Sequence, residues 1–462
     1  MSDPASLSLI EVAARIRAGT LRSVEVTQSA IERARAAQAR CNCFISIDED
    51  SALAEAEAAD RAREQGRPLG LLHGVPLAHK DMFQVAGHPL RYGSRVRGDF
   101  VPRETAAVIE RLQSAGAVRI GTLNMAEFAL GPTGHNAIWG DCRNAIDPRY
   151  MPGGSSSGSG AAVAARAVFA SLGSDTGGSV RIPAAANGVV GLKPTYGRIS
   201  RFGSMKLSPS IDVIGPLTRS VADCARMLTV LAGHDARDPL TTTRAPEDYE
   251  RELTRDVAGL RIGVPRNYFH DFASDDVRAA MQASLVALEA QGARLVDIDV
   301  PDVEAMSELS RAIVYSEATA LHGAWLRERP QLYQPQVRLR ATTGVAIPAS
   351  IYLEALLLRM PLLERFVRSV FTRCDVLHTA TLPIPVPKLE EVDVGRGEEL
   401  WRTLSQLVHC TAPFNFLGLP AIAVPARATR NGMPASVQLA ARPYAEGMLL
   451  RVAAAHERGM VR

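Results

Sequence analysis

Apolar residues recur at helical spacing near the start of the chain, first at Leu9, Val12, Ala13 and Ile16, then at Val24, Val26, Ala30 and Ile31. This pattern predicts two amphipathic helices within residues 7–38, with Ser23 placed to cap the second. An alanine- and glutamate-rich helix is expected over 51–64, stopped near Gly66. In GLLHGVPLAHKD the glycines and the proline mark a turn feeding a short strand, with Lys80 near its end. TAAVIERLQSAGA followed by VRIGT reads as a helix and then a strand within 105–121. Such alternation predicts an α/β layer architecture.

The stretch 151–216 is dense in Gly, Ser and Pro, which taken alone suggests a flexible linker. A linker is not followed by GAAVAARAVFASL, which reads as an uninterrupted small-residue helix, nor by patterned segments such as VVGLKPTYGRIS and SVADCARMLTVLAG. Further on, RIGVPRN and ARLVDIDV read as strands flanking the helix DDVRAAMQASLVALEAQG. The amphipathic stretch IYLEALLLRMPLLERFVRSVF contains Pro361, which is expected to kink it. The predicted organisation is a single domain over 1–462, with a helical N-terminal part over about 1–65 and a variable substrate-side insertion over about 240–400.

Composition narrows the function class. With 462 residues, 47% of them apolar, the chain can bury a large core. Basic and acidic residues nearly balance, 52 against 49, and no basic stripe carries interleaved aromatics, so nucleic acid is not an expected partner. The first twenty residues lack the continuous apolar core of a secretory signal. The most apolar run, 351–360, is interrupted by Glu354 and Arg359, so no membrane span is expected. Cys41 and Cys43 lack partner histidines and make a poor zinc site. The six cysteines read as reduced thiols of a cytoplasmic protein, with no metal and no cofactor implied.

Two segments carry the candidate chemistry, MPGGSSSGSGAA at 151–162 and LGSDTGGSVRIPAA at 172–185. Glycine allows a turn such as Asp175-Thr176-Gly177-Gly178-Ser179 to aim successive N–H groups into one hollow, where an oxyanion can be held. A serine at the end of that turn can attack the carbonyl carbon lodged there, but only once a base takes its proton. No histidine lies in or beside either segment. Lys80 is one of few lysines and sits in an apolar setting; burial lowers an amine's pKa and frees its lone pair. Taken alone, Lys80 reads equally as half of an ordinary salt bridge. Gly154-Ser155-Ser156-Ser157-Gly158 also satisfies G-x-S-x-G, but IDPRYMPGG before it reads as a turn where a nucleophile elbow needs a strand. No Gly-Lys-Ser or Gly-Lys-Thr follows the glycines, which excludes a P-loop.

Three separated pieces together resemble the amidase signature family: Lys80-Asp81 after a Gly-Val-Pro strand, the Gly-Gly-Ser-Ser segment from Gly153, and Asp175-Thr176-Gly177-Gly178-Ser179 with Arg181 and Pro183 beyond. The order and spacing match, and GTLNMAEFALG, GLKPTYGRIS, IGPLTRSVAD and MPASVQLAARPYAEGMLL are similar too. The resemblance runs from about residue 5 to 458 and is thinnest over 240–400. It implies a large mixed central β-sheet flanked on both faces by helices. It implies Ser179 as the acylated nucleophile, Ser155 on a cis peptide bond as the bridge, and neutral Lys80 as the base. Backbone N–H groups of Thr176, Gly177, Gly178 and Ser179 would form the oxyanion hole, with Asp175 and Arg181 as a supporting ion pair.

The implied activity is hydrolysis of a small amide, anilide or carbamate by a monomer or homodimer. Phe128, Ala129, Leu130 and Gly131 resemble the family stretch that lines the acyl pocket, although Phe128 reads equally as core; Ile138 and Trp139 are candidates for a further wall. The same machinery suits a carbamate or aryl ester hydrolase, and a non-catalytic member is a third class. A rival within the family is the glutaminase component, the A chain type, of an aminoacyl-tRNA amidotransferase. That glutaminase needs an arginine for the amino acid's carboxylate, a position Arg359 resembles, and an acid for its ammonium. No Asp or Glu occurs between Trp401 and Pro420, where the acid is expected.

Overall fold

The apolar stripe at the start of the chain becomes two helices, Leu9–Arg17 and Ser23–Cys41, with Leu9, Val12, Ala13, Ile16, Ala30 and Ile31 buried. The computed structural model describes residues 3–98, 100–395 and 397–460. Ser23 is the first residue of its helix rather than its cap. The side chain of Asp60, on the helix Glu49–Glu64, does the capping by accepting from the N–H groups of Ser23 at 2.8 Å and Val24 at 3.2 Å. The Ser23 hydroxyl donates instead to Gly74 O.

Two sheets organise the rest. In the small one the strand Val118–Leu123 lies between Phe44–Ile47, antiparallel, and Pro76–Lys80, parallel, with Lys80 the last residue of its strand. The large sheet has eight strands in the spatial order Ala170–Asp175, Val213–Thr218, Val190–Lys193, Ala421–Ala428, Pro434–Ala440, Val376–Ala380, Arg261–Pro265 and Arg294–Ile298. Its last three strands run parallel to one another and the others pair antiparallel, so the sheet is mixed. Helices cover it on both faces, as an α/β layer architecture requires.

The expected long helix after the Ser-rich segment is short. It spans Ser157–Ala164, and AVFASL turns the corner into the buried strand Ala170–Asp175. Small residues make that helix possible, because Gly158 and Gly160 lie where a Cβ would run into Asn124 O and Pro183 O. The region 240–400 is not wholly an insertion, since three strands of the large sheet come from it. Three helices between those strands, Val303–Glu328, Pro335–Thr342 and Ala349–Val370, stand over the end of Ala170–Asp175. The last continues through Pro361 as one helix.

Candidate active site

Lys80 is 1% exposed, and its amine reaches three serine hydroxyls: Ser155 at 2.7 Å, Ser174 at 2.9 Å and Ser156 at 3.2 Å. It has no carboxylate within ion-pair distance among the described residues, so the ordinary salt bridge is not what holds it. Burial lowers its pKa from 10.5 to about 7, against the pull of Asp212 and Asp175, which favour the charged form. A neutral amine offers two N–H donors and one lone pair, so one of the three hydroxyls donates to it. Asp81, next along the chain, accepts instead from Gly93 N at 2.8 Å and Arg91 N at 3.3 Å.

The peptide bond between Gly154 and Ser155 is cis. Gly154 packs under the acyl-pocket loop, where an added Cβ would lie 2.5 Å from Gly131 O. Ser156 N donates to Ser179 O at 3.3 Å and holds the two serine-bearing segments side by side. The hydroxyls of Ser155 and Ser179 do not hydrogen-bond to each other in this structure, and rotation about the Ser179 side chain is what would bring them together.

Asp175 shapes the turn that carries Ser179. Its carboxylate accepts from Gly178 N at 2.8 Å and Val180 N at 3.2 Å, and pairs with the Arg181 guanidinium at 2.8 and 3.0 Å, both residues fully buried. Burial would raise the Asp175 pKa, but the Arg181 charge and hydrogen bonds, Lys193 and Asn415 hold it far below the usual carboxylate range. Arg181 is tied further to Asn415 Oδ1, Gln438 Oε1 and Thr411 O. Because Gly178 N–H is spent on Asp175, it does not face the cavity as an oxyanion donor. The N–H groups of Thr176, Gly177 and Ser179 have no acceptor among the described residues. Gly178 itself has φ +129°, and a Cβ there would collide with Thr411 Oγ1.

A cavity of about 90 Å³, reached by Thr176, Gly177 and Ser179, opens over this turn and widens into a vestibule of about 670 Å³. Known proteins share this frame. The family model described as Amidase matches residues 25–450. The chain belongs to the amidase family. It is similar to the glutaminase-type A chain of the glutamyl-tRNA(Gln) amidotransferase of Myxococcus xanthus, 39% identical over 98% of this chain and 97% of that one. A solved chain from a vestigial complex, described as revealing the origins of an s-triazine catabolic enzyme, superposes with a TM-score of 0.91 at 36% identity, covering 98% of both chains. A solved amidase superposes with a TM-score of 0.87 at 34% identity, over 98% of this chain and all of that one. Family and relatives together mark the chain as an enzyme of the class that hydrolyses C–N acyl bonds, and the relatives' names favour the amidotransferase form of that activity over a free-standing amidase.

Within this amidase, the loop predicted for the acyl pocket divides. Ala129, Leu130 and Gly131 line the cavity. Phe128 does not; it is fully buried among Tyr92, His322, Trp325 and Tyr333, where aromatic packing claims its whole ring. Ile138 and Trp139 lie away from the cavity, and the Trp139 ring sits under the Arg91 guanidinium. Arg359 is likewise no part of it: its guanidinium donates to Phe416 O and Ser210 O. The arginines that do face the cavity are Arg311 and Arg340.

Two residues escaped the sequence reading. Ser174 completes the ring of hydroxyls around Lys80, and its place before Asp175 on a strand end was the only signal. Asp212 accepts from Thr176 Oγ1 at 2.6 Å and from the N–H groups of Leu207 and Ser208, so it steadies the first residue of the turn; burial raises its pKa to about 6. No single helix among the described residues is long and apolar enough to cross a membrane.

Proposed function

We propose that this amidase hydrolyses a small amide through a seryl acyl-enzyme formed on Ser179. The observation that carries the reading is a buried amine with a pKa near 7, set 2.7 Å from the hydroxyl on the cis peptide. Neutral Lys80 takes the Ser155 proton as Ser155 takes that of Ser179, and Ser179 Oγ attacks the acyl carbon. The oxyanion is held by the free N–H groups of Thr176, Gly177 and Ser179. The proton returns by the same path to the leaving nitrogen, and water then attacks the ester by the same relay. Anilides, carbamates and aryl esters share that acyl carbon and are compatible substrates. A domain over 1–462 in which the helices of 240–400 form the substrate side fits this division of labour, as does a cytoplasmic site for six buried free thiols.

The relatives' names support a second reading, a glutaminase working within a tRNA-dependent assembly. One component of such an assembly need not carry the nucleic-acid surface itself, so the balanced charge does not weigh against it. The deciding measurement is a rate panel over p-nitroanilides, aliphatic amides, aryl carbamates and glutamine, run with fluorophosphonate labelling of Ser179. Labelling at Ser179 with turnover of at least one amide is the expected result; intact, folded protein that neither labels nor turns over would overturn the proposal. Glutamine turnover that rises with a small helical partner and tRNA would establish the second reading.

A further inference from the structure

Arg340 lines both the inner cavity and the vestibule, and its Nη1 is 3.9 Å from where a Cβ on Gly131 would stand. It therefore sits against the acyl-pocket loop that covers Gly154. Its Nε is buried without a hydrogen-bond partner, and among the described residues no carboxylate or carbonyl accepts from its guanidinium. Arg311 lines the same space but is engaged: it pairs with Glu308 and donates to Ser405 Oγ at 2.9 Å. Glu308 is the only acid on the vestibule wall, and no Asp or Glu lines the inner cavity, again among the described residues. Where an ammonium would need a carboxylate, the wall offers Val408 and Ala412.

A partly enclosed guanidinium with empty donors is poised for a planar oxyanion, which it can bind through two parallel hydrogen bonds. An α-ammonium beside that carboxylate would enter a pocket with surplus positive charge and nothing to pair with. From this we infer that the pocket selects amides whose acyl chain ends in a carboxylate and carries no ammonium, with Arg340 holding the carboxylate and Arg311 adding positive potential beside it. The inference rests on the hydrolase reading and names its substrate class. It also sets this chain apart from a glutaminase.

One pair of substrates isolates the point: glutaramate, which is glutamine without its α-amino group, and glutamine itself. Butyramide, with neither charge, completes the set. The expected kcat/KM for glutaramate exceeds that for each of the other two by at least about 30-fold, the size of one charge-assisted hydrogen-bonded contact. Arg340→Ala should bring the glutaramate-to-butyramide ratio close to one, and Arg340→Lys should restore part of it. These ratios are internal to each variant, so a general loss of activity does not mimic the result. Glutamine turned over as fast as glutaramate, or a ratio unmoved by Arg340→Ala, would overturn the inference. Fluorophosphonate labelling separates the two levels: a protein that labels at Ser179 yet ignores the carboxylate leaves the hydrolase reading standing and removes this one.

Discussion

The two sides of the cavity are built on different terms. The rear, made of Lys80, Ser155, Ser174, Asp175 and Arg181, is at most 3% exposed, and its charges and hydroxyls are matched within the protein. The front, made by the helices Val303–Glu328, Pro335–Thr342 and Ala349–Val370, leaves Arg340 without a partner among the described residues and Leu357 and Met360 facing solvent. A proton relay needs distances fixed to a few tenths of an ångström, which a satisfied buried network supplies. A selecting wall needs groups left free for the substrate. The difference teaches that chemistry and choice of substrate are separable here, and that mutations on the two sides fail in different ways.

The largest effects belong to the rear. Ser179→Ala should abolish turnover, and Lys80→Ala should lower kcat by several orders of magnitude, with Ser155→Ala nearly as severe because the three act as one unit. Steady-state rates with circular dichroism as a fold control check this; near-normal kcat in Lys80→Ala would break the comparison at its root. Next comes Arg181→Met. It strands the fully buried Asp175 carboxylate without its partner, and losing half of such a pair costs about 3–5 kcal/mol. Chemical denaturation of the variant should show this as a collapse of stability rather than a change of substrate preference.

The same division governs what the sequence disclosed. Lys80-Asp81, Gly153-Gly154-Ser155 and Asp175 through Ser179 are local runs whose residue types are dictated by backbone geometry and by one reaction, so they can be read in place. The helices at 9–41 and the strands at 261–265 and 294–298 follow from short-range apolar spacing in the same way. Arg340 comes from QVRLRATTGV, where nothing in the spacing distinguishes it from Arg338, which is exposed. Only the packing of three helices against a distant loop selects it, and Arg359 took its place in the sequence reading for want of that information. Ser174, Asp212 and the Asp60 cap are invisible for the same reason, being defined by partners 36 to 94 residues away. Phe128 was ambiguous because a pocket wall and an aromatic core ask for the same residue.

Smaller in size is the pH dependence, which probes whether the rear really keeps Lys80 neutral. With its pKa lowered to about 7, kcat/KM should fall about tenfold per pH unit below 7 and level off above it. Stability follows the same group with its own sign. Unfolded, the amine binds a proton up to about 10.5; folded, it releases it near 7, so between these values the unfolded state holds more protons. The contribution of Lys80 to stability therefore improves as pH rises from 7 to about 10.5, and its penalty is complete below 7. A rate profile flat from mildly acidic to alkaline pH would sink the lysine base.

The smallest effect should come from the front, at the ion pair between Arg311 and Glu308. Their side chains are 40% and 68% exposed, so water screens the attraction and the pair is worth at most about 1 kcal/mol. The hydrogen bond from Arg311 to Ser405 adds little, since both ends can be hydrated once it is broken. Arg311→Gln should therefore shift Tm by no more than a degree or two in a chain of this size, while Arg181→Met, also one guanidinium removed, costs several times as much. Thermal melts of the two variants side by side test this directly. If Arg311→Gln proved as damaging as Arg181→Met, the front wall would be a structural network like the rear one, and the separation of chemistry from selection would not hold.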